Sequence, residues 1–319
     1  MRIFVTGANG FIGRHLIERF AADGHETRGI DLAADPGRGV VAGNVGEPDG
    51  WRDQLEGVDA VIHTAALVSN SPTLEQAWQV NVVGTRHVLD AAVAAGVSRF
   101  VHLSSIRVFS DLGFPDGVTE DHPVRPDGNP YVDTRIASEQ VVLQAHAAGQ
   151  IDVTIVRPGD VYGPASRPWT VLPVEMIRKR QFFLPARGRG IHSPVYVDDL
   201  VDGISRATLR PEGVGQVFTL AGGVGVPTAE FFGHYSRMLD RRLVLLPTSL
   251  ALAIAGGAAV PARLVDPGTE ISTVSVRYFC RTGTYSIEKA RRLLGYEPQV
   301  DLAEGMVRVE AWLRSEGLL

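Results

Sequence analysis

The chain of 319 residues is poor in several features that mark specialised proteins. Its single cysteine, Cys280, excludes an intrachain disulfide and a metal site built from several cysteines. There are 31 basic residues against 36 acidic ones, a formal charge of −5, so we expect no nucleic-acid partner. The chain does not open with the basic and apolar segments of a secretory signal, and a cytoplasmic location is therefore expected.

Long uninterrupted apolar runs are also missing. The most apolar stretch, residues 243–260, is broken by Pro247 and by a glycine pair at 256–257, which makes it a poor membrane span. We therefore expect no membrane partner. His63, His102 and His192 lack the spacing of a metal cluster, and no metal is expected either.

Strand-like apolar segments alternate with amphipathic helical patterns in the first half of the chain. Strands are predicted at 2–6, 26–31, 40–44, 60–64, 99–103 and 153–156, and helices at 11–22, 73–95 and 131–148. This alternation is typical of α/β proteins in which right-handed crossovers build a parallel sheet. The predicted fold is a Rossmann-type, doubly wound parallel sheet.

A glycine-rich loop follows the first predicted strand. Residues 2–13 have the sequence RIFVTGANGFIG, in which Gly7, Gly10 and Gly13 lie between a strand and a helix. Such glycines allow a tight turn, a close approach of the backbone to a pyrophosphate and close packing of the helix on the sheet. The helix N-terminus then offers free N–H groups and partial positive charge to the phosphates.

An acidic residue ends the second predicted strand. Asp31 lies eighteen residues beyond Gly13, near the spacing expected of a carboxylate that binds a ribose 2′-hydroxyl. The same carboxylate would repel a 2′-phosphate, so the sequence predicts NAD rather than NADP as the cofactor.

Beyond Pro164 the alternation of strands and helices fades into segments rich in proline and glycine, and later returns. We therefore expect a smaller C-terminal substrate lobe interwoven with the first domain. The predicted NAD-binding Rossmann domain comprises 1–164 and 191–222, and the predicted substrate lobe comprises 165–190 and 223–319.

Further motifs occur in a characteristic order along nearly the whole chain. They are HTAA at 63–66, NVVGT at 81–85, SSIRVF at 104–109, PYVDTRIASE at 130–139, RPGDVYGP at 157–164, VDDL at 197–200 and LGYEP at 294–298. Together with the glycine spacing, this series resembles the extended short-chain dehydrogenase/reductases, the NAD-dependent epimerase/dehydratase group. The segment 246–261 adds a resemblance to the 3-beta-hydroxysteroid-dehydrogenase-like branch.

The resemblance implies catalytic roles for three residues. Tyr131 matches the family's acid–base tyrosine, and Ser105 matches the residue that holds the reacting oxygen. A phenol with its ordinary pKa of about 10 is a weak base at neutral pH unless a nearby cation lowers that value. Position 135 is four residues on, on the same helical face, but it carries Arg135 where the family has lysine.

Arg135 leaves two interpretations open. Arginine keeps a permanent charge and can donate hydrogen bonds to ribose hydroxyls, so the chain could be a working enzyme with an adapted pocket. Because the guanidinium is larger and planar, the chain could instead be a non-catalytic NAD-binding or sensing protein. The retained Ser105 and Tyr131 favour the enzyme.

The resemblance also implies the residues that contact NAD and the oligomeric state. Besides the three glycines, Asp31, Tyr131 and Arg135, the implied contacts are Asn9, Phe11, Ile12, Asn44, Val45, Ala65, Ala66, Asn81, Pro158 and Val161. In the family, helices matching 73–95 and 131–148 pair across a two-fold axis, which predicts a homodimer.

The substrate is expected to be a small molecule with a secondary alcohol or ketone and an apolar or mixed body. Nucleotide-sugar members carry an arginine six residues before the first aspartate of the VDD element, Asp198, where this chain has His192; Arg187 and Arg189 lie nearby. A dehydratase would also place Asp-Glu after Ser105, where this chain has Ile106 and Arg107. A nucleotide-sugar epimerase or dehydratase is the alternative enzyme. Asp198 and Asp199 are expected to cap a helix.

Overall fold

The computed structural model describes residues 1–110, 115–265 and 272–319. The strands, numbered in chain order, are β1 (Arg2–Thr6), β2 (Glu26–Asp31), β3 (Val40–Ala42), β4 (Ala60–His63), β5 (Arg99–Leu103), β6 (Asp152–Pro158), β7 (Asp160–Tyr162), β8 (Phe183–Leu184), β9 (Ile191–His192), β10 (Pro194–Tyr196), β11 (Val217–Leu220), β12 (Val226–Pro227) and β13 (Val244–Leu245). Seven of them form one parallel sheet in the order β11-β6-β5-β4-β1-β2-β3. The Rossmann-type prediction is confirmed.

The α-helices are α1 (Phe11–Ala22), α2 (Leu74–Trp78), α3 (Thr85–Ala94), α4 (Pro130–Ala147), α5 (Leu172–Arg178), α6 (Val197–Leu209), α7 (Thr228–Met238), α8 (Thr248–Val265), α9 (Thr273–Tyr278), α10 (Glu288–Leu294) and α11 (Leu302–Ser315). A π-helical segment, Gln79–Gly84, joins α2 to α3, so the helix predicted at 73–95 is one helical run with a widened middle. Such segments are frequent at functional sites.

The sheet is covered on both faces. In β1, Ile3 and Val5 belong to the core shared with α1 and α6, while Phe4 belongs to the core shared with α3 and α4. Successive residues of a strand point to opposite faces, so a strand buried on both sides is apolar throughout. The core on the α1 side continues into the C-terminal helices through residues such as Phe231 and Val309.

The parallel strands all end at the same edge of the sheet, and the chain reverses its winding direction between β1 and β4. In open α/β sheets, ligands bind in the crevice at such a reversal. The loops that follow β1, β2, β4, β5 and β6 carry most of the residues named from the sequence. Within the described ranges, no helix has the length and apolarity needed to cross a membrane.

The expectation that Asp198 and Asp199 cap a helix is wrong. The residue preceding α6 is Tyr196, and no side chain caps this helix. The carboxylate of Asp199 instead accepts hydrogen bonds from the backbone N–H groups of Gln299 (2.8 Å) and Val300 (3.1 Å). Both aspartates thus lie in the first helical turn, and Asp199 attaches the C-terminal segment to α6.

Candidate active site

The glycine loop fits tightly between β1 and α1. Gly7 has φ +67°, and a Cβ there would lie 2.9 Å from the backbone of Ala65. A Cβ at Gly13 would overlap the carbonyl oxygen of Gly7, so glycine is required for α1 to begin this close to the strand. Gly10 precedes α1 without a side-chain cap, and the first N–H groups of the helix, from Phe11 and Ile12 onward, are available to an anion.

Asp31 holds the glycine loop against the end of β2. One carboxylate oxygen accepts a hydrogen bond from the Asn9 N–H (2.9 Å) and the other from the Leu32 N–H (2.7 Å). Two guanidinium groups flank the same place, because Arg14 donates to the Asn9 carbonyl (3.2 Å) and Arg38 to the Asn9 side-chain oxygen (3.1 Å). Asp31 therefore lies between Arg14 and Arg38, and Arg38 is in addition paired with Asp35 at 2.7 Å.

A buried polar chain fixes the loop after β4. The Thr6 hydroxyl lies 2.7 Å from Nδ1 of His63 and accepts the Ala65 N–H at 3.3 Å. On the other side of the ring, Nε2 of His63 lies 2.9 Å from the Thr85 hydroxyl. Burial, together with the positive charge of Arg135, lowers the pKa of His63 to about 3. The imidazole is therefore neutral and supports the loop that includes Ala65 and Ala66.

Asn81 fastens this same loop to the next helix layer. Its side-chain oxygen accepts the Leu67 N–H (2.7 Å), and its amide donates to the Leu67 carbonyl (3.3 Å) and to the Thr134 hydroxyl (3.0 Å). Asn81 is fully buried. Its hydrogen bonds go to Leu67 and Thr134 rather than to Ser105, so any effect of Asn81 on a cofactor passes through the loop.

Asn44 and Val45 follow β3 at the edge of the sheet. The side-chain oxygen of Asn44 accepts the Gly46 N–H at 3.0 Å, and the Asn44 carbonyl accepts the indole N–H of Trp51 at 2.7 Å. Asn44 is exposed while Val45 is buried. A carbonyl oxygen has two lone pairs, so the side chain of Asn44 keeps one acceptor site for an adenine amino group.

Ser105 lies directly beyond the end of β5. The neighbouring Ser104 N–H donates to the Val156 carbonyl of β6 at 2.7 Å. Ser105 then caps a short 3-10 turn, and its hydroxyl oxygen accepts the Arg107 N–H at 3.2 Å. This bond orients the hydroxyl of Ser105, a residue that is 9% exposed.

Tyr131 and Arg135 lie one turn apart at the start of α4. Asn129 caps the helix by accepting the Tyr131 N–H at 2.9 Å. The guanidinium carbon of Arg135 lies 5.3 Å from the centre of the Tyr131 ring, and Nη1 donates to the Leu103 carbonyl at 2.9 Å. Among the residues that the structure describes, none forms a hydrogen bond with the buried Nε of Arg135. The structure thus brings Tyr131, Arg135 and the strand end carrying Ser105 together.

A second buried histidine lies beneath Arg135. The His102 ring stacks on His63 with 5.6 Å between ring centres, and its Nε2 lies 3.0 Å from the Ser138 hydroxyl. Burial, His63 and the charge of Arg135 hold the pKa of His102 well below its usual value. Both histidines are neutral at physiological pH, and Arg135 is the charged group between them and Tyr131.

A buried ion pair fixes α4 against β6. Arg157 donates to both carboxylate oxygens of Glu139, at 2.9 and 2.7 Å. The Arg157 guanidinium also lies 4.8 Å from the centre of the Phe109 ring. Two parallel hydrogen bonds define the geometry of such a pair more strictly than one, so the position of Tyr131 relative to the sheet is well determined.

Pro158 and Val161 lie next to this pair on the edge beyond β6. Pro158 is the last residue of β6 and Val161 lies within β7, and both are buried. Phe11 approaches the same place, since a Cβ at Gly163 would lie 3.6 Å from its ring. These apolar groups therefore border the same crevice as the glycine loop.

A polar cluster that the sequence did not indicate connects the substrate side to the C-terminal segment. Asp160 accepts hydrogen bonds from the Tyr278 hydroxyl, from Arg281 (3.3 Å) and from the Ser193 N–H (2.9 Å). Burial opposes ionisation of Asp160, but the neighbouring His192 and Arg281, together with these hydrogen bonds, lower the pKa of the carboxyl below its ordinary value. The carboxylate therefore joins β7 to α9.

His192 is enclosed by aromatic rings. Trp169 and Phe231 lie 4.6 and 4.3 Å from it, measured between ring centres. Its Nδ1 is 3.1 Å from a carboxylate oxygen of Asp160 but is not aligned for a hydrogen bond. Burial lowers the pKa of His192 to about 4, against the opposing influence of Asp160. His192 is thus buried and neutral, while Arg187 and Arg189 are exposed.

Arg107 connects this cluster to Tyr131. Its guanidinium carbon lies 5.2 Å from the centre of the Tyr131 ring and 5.0 Å from that of Tyr278. Arg107 and Asp160 stand inside motifs that the sequence had singled out for other residues. Tyr278 and Arg281 belong to no motif, and no sequence signal pointed to them.

Among residues 1–110, 115–265 and 272–319, no group of three or more His, Cys, Asp or Glu side chains is arranged to hold a metal ion. The polar groups at the crevice are backbone N–H groups, hydroxyls and arginines. These groups suit phosphates, ribose and a reacting oxygen.

The sequence model of the NAD dependent epimerase/dehydratase family matches residues 3–221. A 4-hydroxy-2-methyl-3-oxo-4-farnesyl-3,4-dihydroquinoline-1-oxide ketoreductase of Stigmatella aurantiaca is 30% identical, with 96% of this chain and 95% of the relative aligned. A 2-alkyl-3-oxoalkanoate reductase of Stenotrophomonas maltophilia is 28% identical over 98% and 99% of the two chains. A UDP-glucose 4-epimerase of Mycolicibacterium smegmatis is 29% identical over 99% of each.

Solved structures share the fold. MoeE5 in complex with UDP-glucose and NAD superimposes with a TM-score of 0.80 at 23% identity, covering 99% of both chains. The relatives thus include proteins named as reductases and proteins named as epimerases.

Proposed function

The chain belongs to the NAD dependent epimerase/dehydratase family, and we propose that it is an NAD-dependent oxidoreductase acting on a secondary alcohol or ketone. The substrate is proposed to be a small molecule with an apolar or mixed body. The observation that carries the proposal is the arrangement of Tyr131, with Arg135 one turn further along α4, beside the strand end that carries Ser105.

The crevice fits the family's cofactor, NAD. The glycine loop leaves no room for a Cβ at Gly7 or Gly13, as expected where a backbone must approach a pyrophosphate. Asp31 lies at the end of β2 beside the glycine loop, where we expect the ribose, and the buried Nε of Arg135 has no hydrogen-bond partner among the described residues. Bound NAD would donate or accept the hydride.

In the direction of reduction, the protein must supply a proton to the carbonyl oxygen as a hydride reaches the carbonyl carbon. We assign that proton to the Tyr131 hydroxyl. The Ser105 hydroxyl, oriented by the Arg107 N–H, holds the same oxygen by a hydrogen bond. Arg135 stabilises the phenolate that remains, because its guanidinium lies 5.3 Å from the ring centre. Oxidation of an alcohol reverses these steps.

The arginine at position 135 is compatible with an active enzyme. The chain has only two lysines, Lys179 and Lys289, among its 31 basic residues, so arginine is the ordinary cation of this protein. The guanidinium stays on the Tyr131 face and bonds the Leu103 carbonyl. The other interpretation is a non-catalytic NAD-binding protein. It gives no reason for an oriented Ser105 hydroxyl close to a tyrosine that lies next to an arginine.

Two observations favour a ketone or alcohol over a nucleotide sugar. His192, at the position where nucleotide-sugar members carry a diphosphate-binding arginine, is buried and neutral with a pKa of about 4. Ile106 and Arg107 stand where a dehydratase would carry an acid pair. A nucleotide-sugar epimerase remains the second candidate, supported by the UDP-glucose 4-epimerase relative.

We further propose that residues 165–190 and 223–319 hold the body of the substrate, and that two chains pair through α3 and α4. Light scattering at micromolar concentration tests the pairing: a homodimer gives twice the mass of 34.4 kDa, and a single monomeric species contradicts it.

A turnover screen tests the proposed function. The purified protein is incubated with NAD and secondary alcohols or sterols, with NADH and the matching ketones, and separately with UDP-sugars. Absorbance of NADH reports oxidoreductase turnover, and chromatography reports sugar epimers. We expect NADH to change with alcohols or ketones. Epimer formation without net change in NADH would instead support the second candidate.

A further inference from the structure

We propose that one surface of the C-terminal half binds membranes that contain anionic lipids. This surface is built from residues 177–189, residues 237–245 and the exposed side chains of α8, and we call it the basic face. The inference does not rest on the proposed reaction, because it concerns a surface that carries none of the residues assigned to NAD or to the reacting oxygen.

Basic residues are concentrated in two short segments of this face. Residues 177–189 contain four arginines and Lys179 but no acid, and residues 237–242 contain three arginines with Asp240 as the one acid. The whole chain, by contrast, has a formal charge of −5. Positive charge gathered on one part of an otherwise acidic protein is the distribution expected of a protein that is attracted to an anionic surface.

The fold joins these two segments. β13, which follows the second segment, pairs in parallel with β8, which lies within the first. The Arg187 N–H donates to the Leu246 carbonyl at 2.9 Å. Leu245 approaches the same turn, since a Cβ at Gly188 would lie 3.2 Å from its side chain. The turn that carries Arg187 therefore lies beside β13.

Further arginines meet at the start of β13. A cleft of about 340 Å³ is lined there by Arg180, Arg241 and Arg242, together with Asp240 and Val244. The three arginines are exposed. Within the part of the chain that the structure describes, none of them forms an ion pair. Their charges are therefore available to an external anion.

Exposed apolar side chains lie next to these arginines. Val244 and Leu245 are 49% and 45% exposed, although both lie in a strand. Leu250 and Ile254 are 48% and 42% exposed and lie one turn apart on α8, whose buried alanines pack against α9. An exposed apolar surface bordered by polar residues marks an interaction site.

The chemistry of this face favours a lipid surface over an acidic protein. Residues 243–262 contain no charged residue, so the basic and apolar parts of the face are separate along the chain. The large exposed apolar residues of the face are all aliphatic. Protein interfaces rely on well-packed anchors that are enriched in aromatic residues, whereas a bilayer accepts aliphatic side chains without shape complementarity.

A surface contact needs no membrane-spanning segment. We expected no membrane partner because Pro247 and the glycine pair at 256–257 interrupt the apolar stretch. A helix that lies in the interface buries only one side, and arginines beside it keep their charged ends among the headgroups. Because the apolar area is small, binding should be reversible and should weaken as salt is added.

Vesicle flotation tests the proposal. The full chain is mixed with vesicles of phosphatidylcholine alone, or of phosphatidylcholine and phosphatidylglycerol in equal parts, and the bound fraction is measured at low and at raised NaCl concentration. We expect binding to the mixed vesicles that falls as NaCl is added, and little binding to phosphatidylcholine alone. A bound fraction that phosphatidylglycerol does not increase would overturn the proposal.

Two paired substitutions separate the contribution of charge from that of apolar contact. Arg241→Gln combined with Arg242→Gln should weaken binding to the mixed vesicles about 25-fold, which is about 5-fold for each charge removed. Leu250→Gln combined with Ile254→Gln should weaken it by about 10-fold or more, because these side chains no longer enter the apolar layer.

Matched controls remove the same kinds of group elsewhere. Arg52→Gln combined with Arg292→Gln removes two exposed charges outside the basic face, and Val224→Gln removes an apolar side chain that is 62% exposed. Both controls should bind the mixed vesicles as the parent protein does. Melting temperatures and NAD titrations show that each variant is folded.

The remaining outcomes also decide the matter. Equal weakening by the controls and by the variants of the basic face would overturn the proposal. Binding that depends on the arginines but not on Leu250 and Ile254 would overturn it too, and would assign the face to an acidic protein. None of these measurements involves turnover, so a failure of the proposed oxidoreductase is detected separately by the substrate screen.

Discussion

The loops on the two sides of Tyr131 are anchored in different ways. On the cofactor side, the loops are anchored through their backbone, because Asp31 accepts two N–H groups and Asn81 accepts the Leu67 N–H and donates to the Leu67 carbonyl. On the substrate side, side chains bind one another: Asp160 takes Tyr278 and Arg281, and Arg107 packs between two tyrosines.

This difference has a consequence for function. Side chains that bind backbone fix the course of a loop, so the cofactor side has a geometry that local sequence determines. Side chains that bind each other depend on partners more than one hundred residues away, as Asp160 and Tyr278 do. A change of one such partner alters the pocket without altering the fold, so the substrate side is where specificity can differ between relatives.

The largest expected effect is at the junction of the two sides. Tyr131→Phe removes one hydroxyl and should lower turnover about 10²–10⁴-fold, the usual contribution of an acid–base group. The ring remains against Arg107 and Arg135, so the dissociation constant for NAD should change little. Steady-state kinetics and an NAD titration measure both. Equal turnover of variant and parent on an authentic substrate would eliminate the mechanism.

Removing the charge of Asp160 on the substrate side should lower the free energy of unfolding. Asp160→Asn removes the negative charge that accepts hydrogen bonds from the Tyr278 hydroxyl and from the buried guanidinium of Arg281. The free energy of unfolding should fall by about 3–5 kcal/mol. The control is Asp198→Asn, because Asp198 meets Arg308 at the surface, where about 1 kcal/mol or less is expected. Urea denaturation showing equal losses for the two variants would contradict the account.

Acid should weaken both sides. The folded-state pKa values of His63 and His192, about 3 and about 4, lie below the unfolded value of about 6.5. The unfolded chain therefore binds more protons below pH 6.5, and the free energy of unfolding falls as pH falls towards those values. Between pH 7 and pH 5 we expect a loss of about 2 kcal/mol for each of these histidines.

Urea denaturation across this range measures the loss. The phenyl ring of His192→Phe suits the aromatic surroundings of this position and does not titrate. In this variant the loss of unfolding free energy due to His192 should disappear, and the loss due to His63 should remain. A free energy of unfolding that stays level from pH 7 to pH 5 would mean that neither histidine is buried in its neutral form.

A smaller change is expected on the cofactor side alone. The unaltered protein should bind NAD more tightly than NADP. In Asp31→Ala the ratio of the dissociation constants of NADP and NAD should fall about 10-fold, because no carboxylate is left to bind the ribose or to repel a 2′-phosphate. Arg14 and Arg38 remain beside it. Asp31→Asn keeps a hydrogen-bond acceptor for the Asn9 N–H but has no negative charge. It therefore distinguishes the effect of the charge on cofactor choice from the effect of the hydrogen bond that anchors the loop. Tighter binding of NADP than of NAD by the parent protein would contradict the proposed role of Asp31.

The smallest expected effect concerns Arg135. Arg135→Lys keeps the positive charge but loses the planar guanidinium whose Nη1 donates to the Leu103 carbonyl. Turnover should fall about 3–10-fold, the effect of one hydrogen bond, with a matching weakening of NAD binding. A lysine variant more active than the parent would show that arginine is merely tolerated there.

The sequence was informative where function depends on local geometry. The bounds of β1, β2, β5 and α1 were predicted to the residue, because each is one apolar or amphipathic segment ended by glycine or a polar group. The glycine loop and Asp31 lie together as their spacing suggested. Tyr131 and Arg135 share a helical face because they are four residues apart.

The sequence is uninformative where a side chain's partners lie far away along the chain. Asp198 and Asp199 had the composition of a cap, but Asp199 found partners at Gln299 and Val300 that no local pattern reveals. Nothing in the sequence placed Tyr278 and Arg281 against Asp160. The middle of the 73–95 helix widened around Asn81, whose bonds to Leu67 and Thr134 form only once the fold is complete.

The most direct test of the central claim is transfer of a labelled hydride. The protein is mixed with NADH that carries deuterium at C4, on the face of the ring from which the hydride is transferred, and with the best ketone from the screen. The product is examined by mass spectrometry. The account predicts one deuterium on the carbinol carbon for each NADH consumed, and its near absence with Tyr131→Phe over the same interval. Bound NADH that is never consumed, or a product without the label, would contradict it.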